Sequence, residues 1–428
     1  MTDNWFNQAK FGMFIHWSLF AEPARRDWIR HFETLTNEDF DIYFKYFDPD
    51  RFNPKAWADL AWNAGMRYIV FITKHHEGFC MWDSKYTDYK ITNTPYGKDV
   101  LKEIVTAFRE KGFKIGLYYS LFDWHHPDYI IDHLHPMRNL PVKEIEEINS
   151  KRDMSLYTKY LHNQVEELMT KYGKIDELWF DNSLDPNPNY PHLKGKGAKD
   201  WDSENLVKMI RKHQPDILIN DRLSLPGSYD FKCAEQYMPG ECMTDNGEKI
   251  LWEACQSFFN NSWAYYRDCA SMKPFKYVLK TLIEAVSKGG NFLLNIGPTG
   301  RGQIDPKSTD ILKKYGEWFE LNRESIYGCG EAPSEFKADP SEILLTYNPK
   351  NNRLYAHILN FPSHGYFFLS DPEDKIEYAR FLHDHSEIKF NDRETFGDTN
   401  WTGKKIFSFL HISDPGVEIP VIEIMLKK

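Results

Sequence analysis

Residues 63–83 read NAGMRYIVFITKHHEGFCMWD. An amphipathic stretch ends on Gly65, an apolar run follows at once, and a polar cluster from Lys74 to Glu77 closes it. A glycine just past a helix accepts the positive φ that terminates it. An apolar run of β-branched and aromatic residues without polar alternation describes a strand buried on both faces. The same unit recurs as EKGFKIGLYYS (110–120), KYGKIDELWFD (171–181), KHQPDILIND (212–221) and SKGGNFLLNIG (287–297). The segments before these runs are helical in pattern. Asp99 is the predicted N-cap of a helix in which Val100, Ile104 and Phe108 recur at spacing four. Leu161, Val165, Leu168 and Met169 mark a second helix. A third is predicted to be capped by Ser203 and stopped by Pro215.

Three further runs complete the set: KFGMFIHW (10–17), YDFKCAEQ (229–236) and LWEACQSFF (251–259). Eight candidate strands within residues 10–297, mostly alternating with helices, predict parallel pairing with right-handed crossovers. That many units in roughly 250–330 residues suits a (β/α)8-like TIM barrel. The alternative is an open doubly wound sheet, but no glycine-rich dinucleotide fingerprint follows the first strand. Past Gly330 the texture changes to short β-rich runs, EILLTYN, NRLYAHILN, GYFFLS, EIKFN and GVEIPVIEIML, between turn signals such as NPKNN and SDPED. The predicted organisation is a catalytic barrel over 1–330 and a small C-terminal antiparallel β-sandwich domain over 331–428. Polar loops at 122–150 and 182–202 follow the third and fourth strands. They belong to the C-terminal face of a barrel, where such folds do chemistry.

In a chain of 428 residues, 41% apolar and 27% charged residues describe a globular protein with a sizeable core. The net charge of -10 argues against nucleic acid or an anionic membrane as the main partner. Aromatic residues make up 16% of the chain, which suits a core and equally suits pyranose faces packed on rings. The six cysteines (Cys80, Cys233, Cys242, Cys255, Cys269, Cys329) include no CxxC pair, so neither a zinc site nor a disulfide framework is indicated. The stretch MTDNWFNQAKFG lacks the pattern of a secretory leader, and no apolar run approaches the ~18 residues that span a bilayer. The expectation is a reduced, cytoplasmic protein. The sequence leaves open a homo-oligomer.

In a barrel, residues at the C-terminal ends of the strands face the site. Here they are His16, His75 and His76, Tyr118 to Ser120, Asp181, Arg222 and Glu235, with Trp263 just past strand seven. Alternation adds Phe14 behind His16 and Trp179 behind Asp181. A carboxylate directly after Leu-Trp-Phe must be partnered, whether as an anchor or as a functional acid. Two carboxylates on strands four and six could converge for acid/base or nucleophilic work on a glycosidic bond. Glu77, Asp83, Asp123, Asp221, Asp230 and Glu241 are rival acids that spacing does not eliminate. The segment HHPDYIIDHLH (125–135) holds four histidines and two aspartates and raises a metal reading. Against it, the segment has neither an HExxH pattern nor a strand-end HxH pair, and no metal site is expected.

The strings WFNQAKFGMFIHWS, FITKHHEGFCMWDSKYTDY, GLYYSLFDW, ELWFDNS, INDR, DFKCAEQ and NFLLNIGPTGRG, in that order from Trp5 to about Gly300, resemble glycoside hydrolase family 29, the α-L-fucosidases. The resemblance implies retaining hydrolysis of terminal α-L-fucosides without metal or organic cofactor. It places the nucleophile on Asp181 and the acid/base on Glu235. It places the sugar-binding histidines on His16, His75 and His76. Tyr118, Trp179, Arg222 and Trp263 follow as further substrate contacts. Where many members carry Glu-Trp after the first strand, this chain has Asp27-Trp28. Trp28 transfers as a substrate contact, while Asp27 is one methylene shorter. Phe14 or Trp263 would wall the methyl group that fucose carries in place of CH2OH.

For both His75 and His76 to reach one sugar, the strand must end or twist by Lys74, because adjacent strand residues point to opposite faces. Gly78 just beyond helps permit that turn. Two other classes are kept in view. One is a non-catalytic fucose-binding protein on the same scaffold, which would not need both acids. The other is a metal-dependent sugar isomerase or hydrolase built on the histidine-rich loop. Trp401, in DTNWTGKK, is a candidate for the rim of the site, including that of a neighbouring subunit.

Overall fold

The computed structural model describes residues 4–269, 271–363, 365–392, 404–409 and 413–427. The barrel strands are β1 (Phe11–Ile15), β2 (Tyr68–Lys74), β3 (Lys114–Ser120), β4 (Glu177–Asp181), β5 (Leu218–Ile219), β6 (Phe231–Glu235), β7 (Leu251–Ser257) and β8 (Asn291–Ile296). All pair in parallel, in the order β5-β4-β3-β2-β1-β8-β7-β6. This is a (β/α)8-like barrel rather than a doubly wound sheet. Its seam is incomplete. Between β5 and β6 the described residues provide one bridge, Asn220 to Phe231, and the Asp230 N–H donating to the Ile219 carbonyl at 2.8 Å.

The expected fifth strand, DILIND, is therefore two residues long. After Ile219 the chain turns into a 3-10 segment, Asp221–Leu223, that carries Arg222. Among the described residues no α-helix follows β5 or β6. A two-stranded ribbon, Thr244–Asp245 with Glu248–Lys249, leads into β7 instead.

The strands are buried on both faces, as parallel strands covered by helices must be. Outward residues such as Phe11, Met13, Ile15, Ile69 and Phe71 pack into the helix layer. Inward residues Phe14, Val70, Ile72, Tyr118, Trp179 and Cys255 fill the interior. Tyr68 lies across that interior at Gly12, where an added Cβ would sit 2.4 Å from the ring. The covering helices follow their sequence signals. Asp99 caps Val100–Lys111 by accepting from the Lys102 N–H at 2.9 Å, and Gly112 ends it at φ 101. The third helix departs from expectation. Its N-cap is Asp202, at φ 48, and Ser203 is the first helical residue, its hydroxyl donating to the Leu223 carbonyl at 2.8 Å.

After the helix Pro306–Asn322 the chain becomes antiparallel. Gly330–Glu331, Ile343–Asn348, Arg353–Ile358, Val421–Leu426 and Ile376–Phe381 form one sheet in that order. Tyr366–Ser370, Lys404–Ser408 and Phe390–Asp392 form a second. Leu354, Ile358, Ile422 and Ile424 of the first share a core with Phe367, Leu369 and Phe407 of the second, which makes a sandwich. The other face of the larger sheet joins the main core through Leu344, Tyr355 and Val421. Trp401 lies outside the described residues.

Candidate active site

The paired histidines are explained by a defect in β2. The register with β3 slips between Ile72 and Lys74, so Ile72 faces Tyr118 and Lys74 faces Tyr119. A bulge inserts one residue and reverses the alternation beyond it. Lys74 is thereby turned to the outer layer, where its ammonium meets Asp123 at 3.0 Å and lies 4.4 Å from the Tyr119 ring centroid. His75 is turned inward. A turn closed by the Gly78 N–H on the His75 carbonyl, at 3.0 Å, then brings His76 alongside, with ring centroids 4.0 Å apart. Gly78 makes the turn at φ +84.

Each histidine is held by a different partner. The His76 Nδ1 lies 2.6 Å from the Ser120 hydroxyl, which itself donates to the Phe122 carbonyl. The Asn182 amide donates to His76 Nε2 at 3.0 Å. This network assigns the His76 proton to Nδ1. Burial, reinforced by the neighbouring His75, holds the His76 pKa well below the ordinary imidazole value. The His16 pKa is likewise well below it, through burial and then His75, while its Nδ1 meets the Asn295 side-chain oxygen. His75 differs. Burial opposes its charged form, yet the Glu77 carboxylate at 3.3 Å outweighs this, and its pKa is raised.

Aromatic rings wall the pocket. Trp263 stacks on His16 at 5.1 Å, Phe14 touches His16 at 4.4 Å and Trp179 at 5.4 Å, and Trp28 meets His76 edge-on at 4.9 Å. Asp27 has a definite task here. Its Oδ1 accepts from the Trp263 N–H at 2.9 Å and the Ser262 hydroxyl at 3.3 Å, anchoring the turn that presents Trp263. The Trp179 indole donates to Glu253 at 2.9 Å, and the Tyr68 hydroxyl donates to the same carboxyl group at 2.9 Å. Glu253 and Glu177 are both fully buried in the barrel interior, and burial raises the pKa of each.

Asp181 and Glu235 do converge. The Arg222 guanidinium donates to Asp181 at 3.4 Å and to Glu235 at 2.9 Å. It also lies 5.2 Å from the Trp179 ring centroid. Asp181 accepts further from the Tyr118 hydroxyl at 2.8 Å and the Asn182 amide at 3.1 Å. Burial and then Asp181 push the Tyr118 pKa well up, so the hydroxyl stays a donor. The Glu235 pKa is raised by burial and by Asp181, with Arg222 acting in the opposite sense. Phe14, His16, Trp28, His75, Tyr118, Trp179, Asp181, Glu235 and Trp263 line one pocket, and His76 and Arg222 stand behind it on Asn182 and the two acids.

Five of the six rival acids have partners of their own, and the sixth is exposed. Glu77 binds the Ser18 hydroxyl and His75, and Asp123 pairs with Lys74. Asp230 pairs with Arg211, Asp83 with Lys90 at 2.9 Å, Asp221 accepts from the Cys233 N–H at 3.3 Å, and Glu241 is exposed. The histidine-rich segment serves packing. The His125 ring stacks on Tyr89 at 3.8 Å, His126 packs at a tilt against Tyr160 at 4.4 Å, and Asp132 pairs with Lys196 at 2.5 Å. Among the described residues no three His, Cys, Asp or Glu side chains gather as a metal site would require.

Asn182, Asn295 and Glu253 escaped sequence reasoning. The signals were polar residues inside or beside apolar strands: the Asn after ELWFD, the Asn in NFLLNIG and the Glu in LWEACQ. A buried polar group in such a place must find a partner.

A parallel barrel with two acids and a ring of imidazoles and indoles at its C-terminal end is the architecture of a glycoside hydrolase. Residues 1–324 match the profile of the family described as alpha-L-fucosidase. The chain belongs to that family. It is 30% identical over 395 residues to the tissue alpha-L-fucosidase of Bos taurus, covering 86% of this chain and 77% of the bovine one. Against the plasma alpha-L-fucosidase of Homo sapiens it is 30% identical over 399 residues, covering 86% and 78%. Among solved structures, alpha-L-fucosidase isoenzyme 1 from Paenibacillus thiaminolyticus superposes with a TM-score of 0.88 at 40% identity, covering 99% of this chain and 98% of that one. A trapped covalent intermediate of a Bacteroides thetaiotaomicron alpha-L-fucosidase with 2-fluoro-fucosyl fluoride superposes with a TM-score of 0.83 at 26% identity, covering 99% and 95%.

Proposed function

We propose that this protein is a retaining α-L-fucosidase in which Asp181 is the nucleophile and Glu235 the acid/base. Asp181 attacks the anomeric carbon and forms a covalent fucosyl-enzyme while Glu235 protonates the departing oxygen. Glu235 then takes a proton from water, which displaces Asp181 and releases fucose with its original configuration. The observation that carries this reading is the Arg222 fork bridging the two carboxylates in one pocket. The raised pKa of Glu235 suits a group that must hold a proton before it can give it.

The binding set is the one named from the sequence. Neutral His16 and His76 offer hydrogen bonds without competing as nucleophiles, and His75, steadied by Glu77, adds a third. Phe14 and Trp263 form an apolar wall for the fucose methyl group, and Trp28 closes the opposite side. Residence in a reducing compartment belongs to the same proposal. Five of the six cysteines are buried and all six are unpaired, as such a compartment would keep them.

The test is hydrolysis of p-nitrophenyl α-L-fucoside by wild type and Asp181→Ala, with azide added to the variant. The expected outcome is an active wild type, an inactive variant, and azide rescue yielding the inverted fucosyl azide. Wild-type levels of turnover in Asp181→Ala would reject the nucleophile.

A further inference from the structure

Both tryptophan walls of the pocket continue outward into one partly exposed cluster. Trp28 starts the short helix Ile29–Phe32, and Phe32, a turn further on, donates its N–H to the Trp28 carbonyl at 3.0 Å. The Phe32 side chain is 58% exposed. On the other wall, Tyr266 follows three residues after Trp263. The two segments are tied to each other by an antiparallel bridge from Arg25 to Tyr266 and by the Arg267 N–H on the Ala24 carbonyl at 3.0 Å.

Arg26 sits where the two arms meet. Its guanidinium carbon lies 5.0 Å from the Phe32 ring centroid and 5.6 Å from that of Tyr266. Its backbone is held at φ 107, a conformation that side-chain-bearing residues rarely adopt. Charge balance separates Arg26 from its neighbours. Arg25 makes a two-pronged pair with Glu33 at 2.8 Å, and Arg267 does the same with Asp268 at 3.0 and 2.7 Å. Arg26 has neither a carboxylate nor a hydrogen-bond partner among the described residues, so this rim keeps one uncommitted guanidinium. Ring contacts use a guanidinium's faces and leave its N–H edge available, which is the edge that reads a carboxylate or sulfate.

The rim is joined to the acid/base side of the pocket through Asp27. Asp27, next in the chain, anchors the Trp263 turn, and its charge reaches Glu235, the group that protonates the leaving oxygen. On the fucosidase reading, an aglycone held at Glu235 would leave between Trp28 and Trp263, the pocket residues whose segments carry Phe32, Arg26 and Tyr266.

We infer that Arg26, Phe32 and Tyr266 form a leaving-group subsite that selects fucosides whose aglycone carries an anionic oxygen group beside the scissile bond, such as the carboxylate of a uronic acid or a sulfate ester. The inference rests on the fucosidase reading above. The rings take the flat face of the aglycone, and the guanidinium takes its anion.

The test uses aryl α-L-fucosides that bear a carboxylate, a sulfonate or a neutral carboxamide at the same ring position, in meta and para series. Comparing wild type with Arg26→Gln cancels the different leaving abilities of the aglycones. In wild type at low salt, the kcat/KM ratio of an anionic to the neutral substrate should exceed that of Arg26→Gln by about tenfold. The excess should shrink in 0.5 M salt. Carboxylate and sulfonate arms show which anion the fork prefers. Arg26→Gln should match wild type on the carboxamide and on p-nitrophenyl fucoside, which also reports that it is folded. Phe32→Ala should weaken charged and neutral aryl substrates alike. An anion-to-neutral ratio that is the same in wild type and Arg26→Gln, in both series, overturns the subsite. Absence of hydrolysis of every one of these fucosides, charged and neutral, by folded wild type would overturn the fucosidase reading itself.

Discussion

Replacing Gly78 with alanine should damage both stability and substrate binding, and its two contributions can be separated. At φ +84 any side chain is strained, at a cost of about 1 kcal/mol. The added Cβ would also lie 2.1 Å from Asp123 Oδ1. That carboxylate cannot simply step aside. It is buried, paired with Lys74 at 3.0 Å, and accepts the His125 and His126 N–H groups at 3.1 and 2.9 Å. Losing a buried pair costs about 3–5 kcal/mol, so partial displacement plus strain gives roughly 2–5 kcal/mol in all. Gly227→Ala is the control, because φ there is +76 but nothing lies within 4 Å of the new Cβ. It should lose only about 1 kcal/mol. Urea unfolding followed by tryptophan fluorescence measures both variants. Because the Gly78 N–H holds the His75 carbonyl, Gly78→Ala should also raise KM for p-nitrophenyl fucoside, while Gly227→Ala should not. Equal destabilisation of the two variants would refute the clash argument. A destabilised Gly78→Ala with normal KM would refute the claim that this turn places the histidines.

Glu235→Ala should cost activity on natural fucosides far more than on aryl fucosides with good leaving groups, because the latter need little protonation; equal losses measured as kcat/KM would point to another acid. A general acid works only while protonated, so wild-type kcat/KM should fall as pH rises through the raised Glu235 pKa, and this basic limb should lie above the ordinary glutamate range; a limb at pH 4–5 would contradict the assignment. Glu253→Leu should lose about 1–3 kcal/mol of stability in urea unfolding by leaving the buried Trp179 N–H unpaired. Glu253→Gln should be milder, since its oxygen can accept from Trp179 while its NH2 donates to the Tyr68 hydroxyl, and indistinguishable losses would mean that the hydrogen bond is unimportant.

The barrel was legible because helix, glycine and apolar run recur, and burial on both faces leaves a continuous apolar signature. The fifth strand was overread. DILIND has the right composition, but Asn220 bonds sideways to Phe180, both accepting from its N–H and donating to its carbonyl, and the chain leaves the ladder. The helix start at Ser203 was misplaced by one residue, because Asp202 adopts a left-handed φ that sequence does not display. Strand-end logic reached most of the pocket. The paired histidines required a break by Lys74, and the structure has one; its form, a bulge between Ile72 and Lys74, was not legible, because the slip depends on how two strands register. It missed Asn182, whose φ of 66 folds its amide back onto His76 and Asp181. Asp27, one methylene shorter than the glutamate many members carry, gave no sequence signal of its task, which is to anchor Trp263.

The open seam between β5 and β6 divides the site's labour. Asp181 and the histidines belong to the arc that β1, β2, β3 and β4 ladder together, whereas Glu235 stands on β6, whose edge toward β5 holds little backbone bonding. Arg222 projects from the gap itself and ties the two halves through side chains. Local opening there would uncouple proton delivery from nucleophilic attack while leaving the sugar cradle intact. The breach in the ring therefore falls between the two halves of the chemistry, and the Arg222 guanidinium spans it.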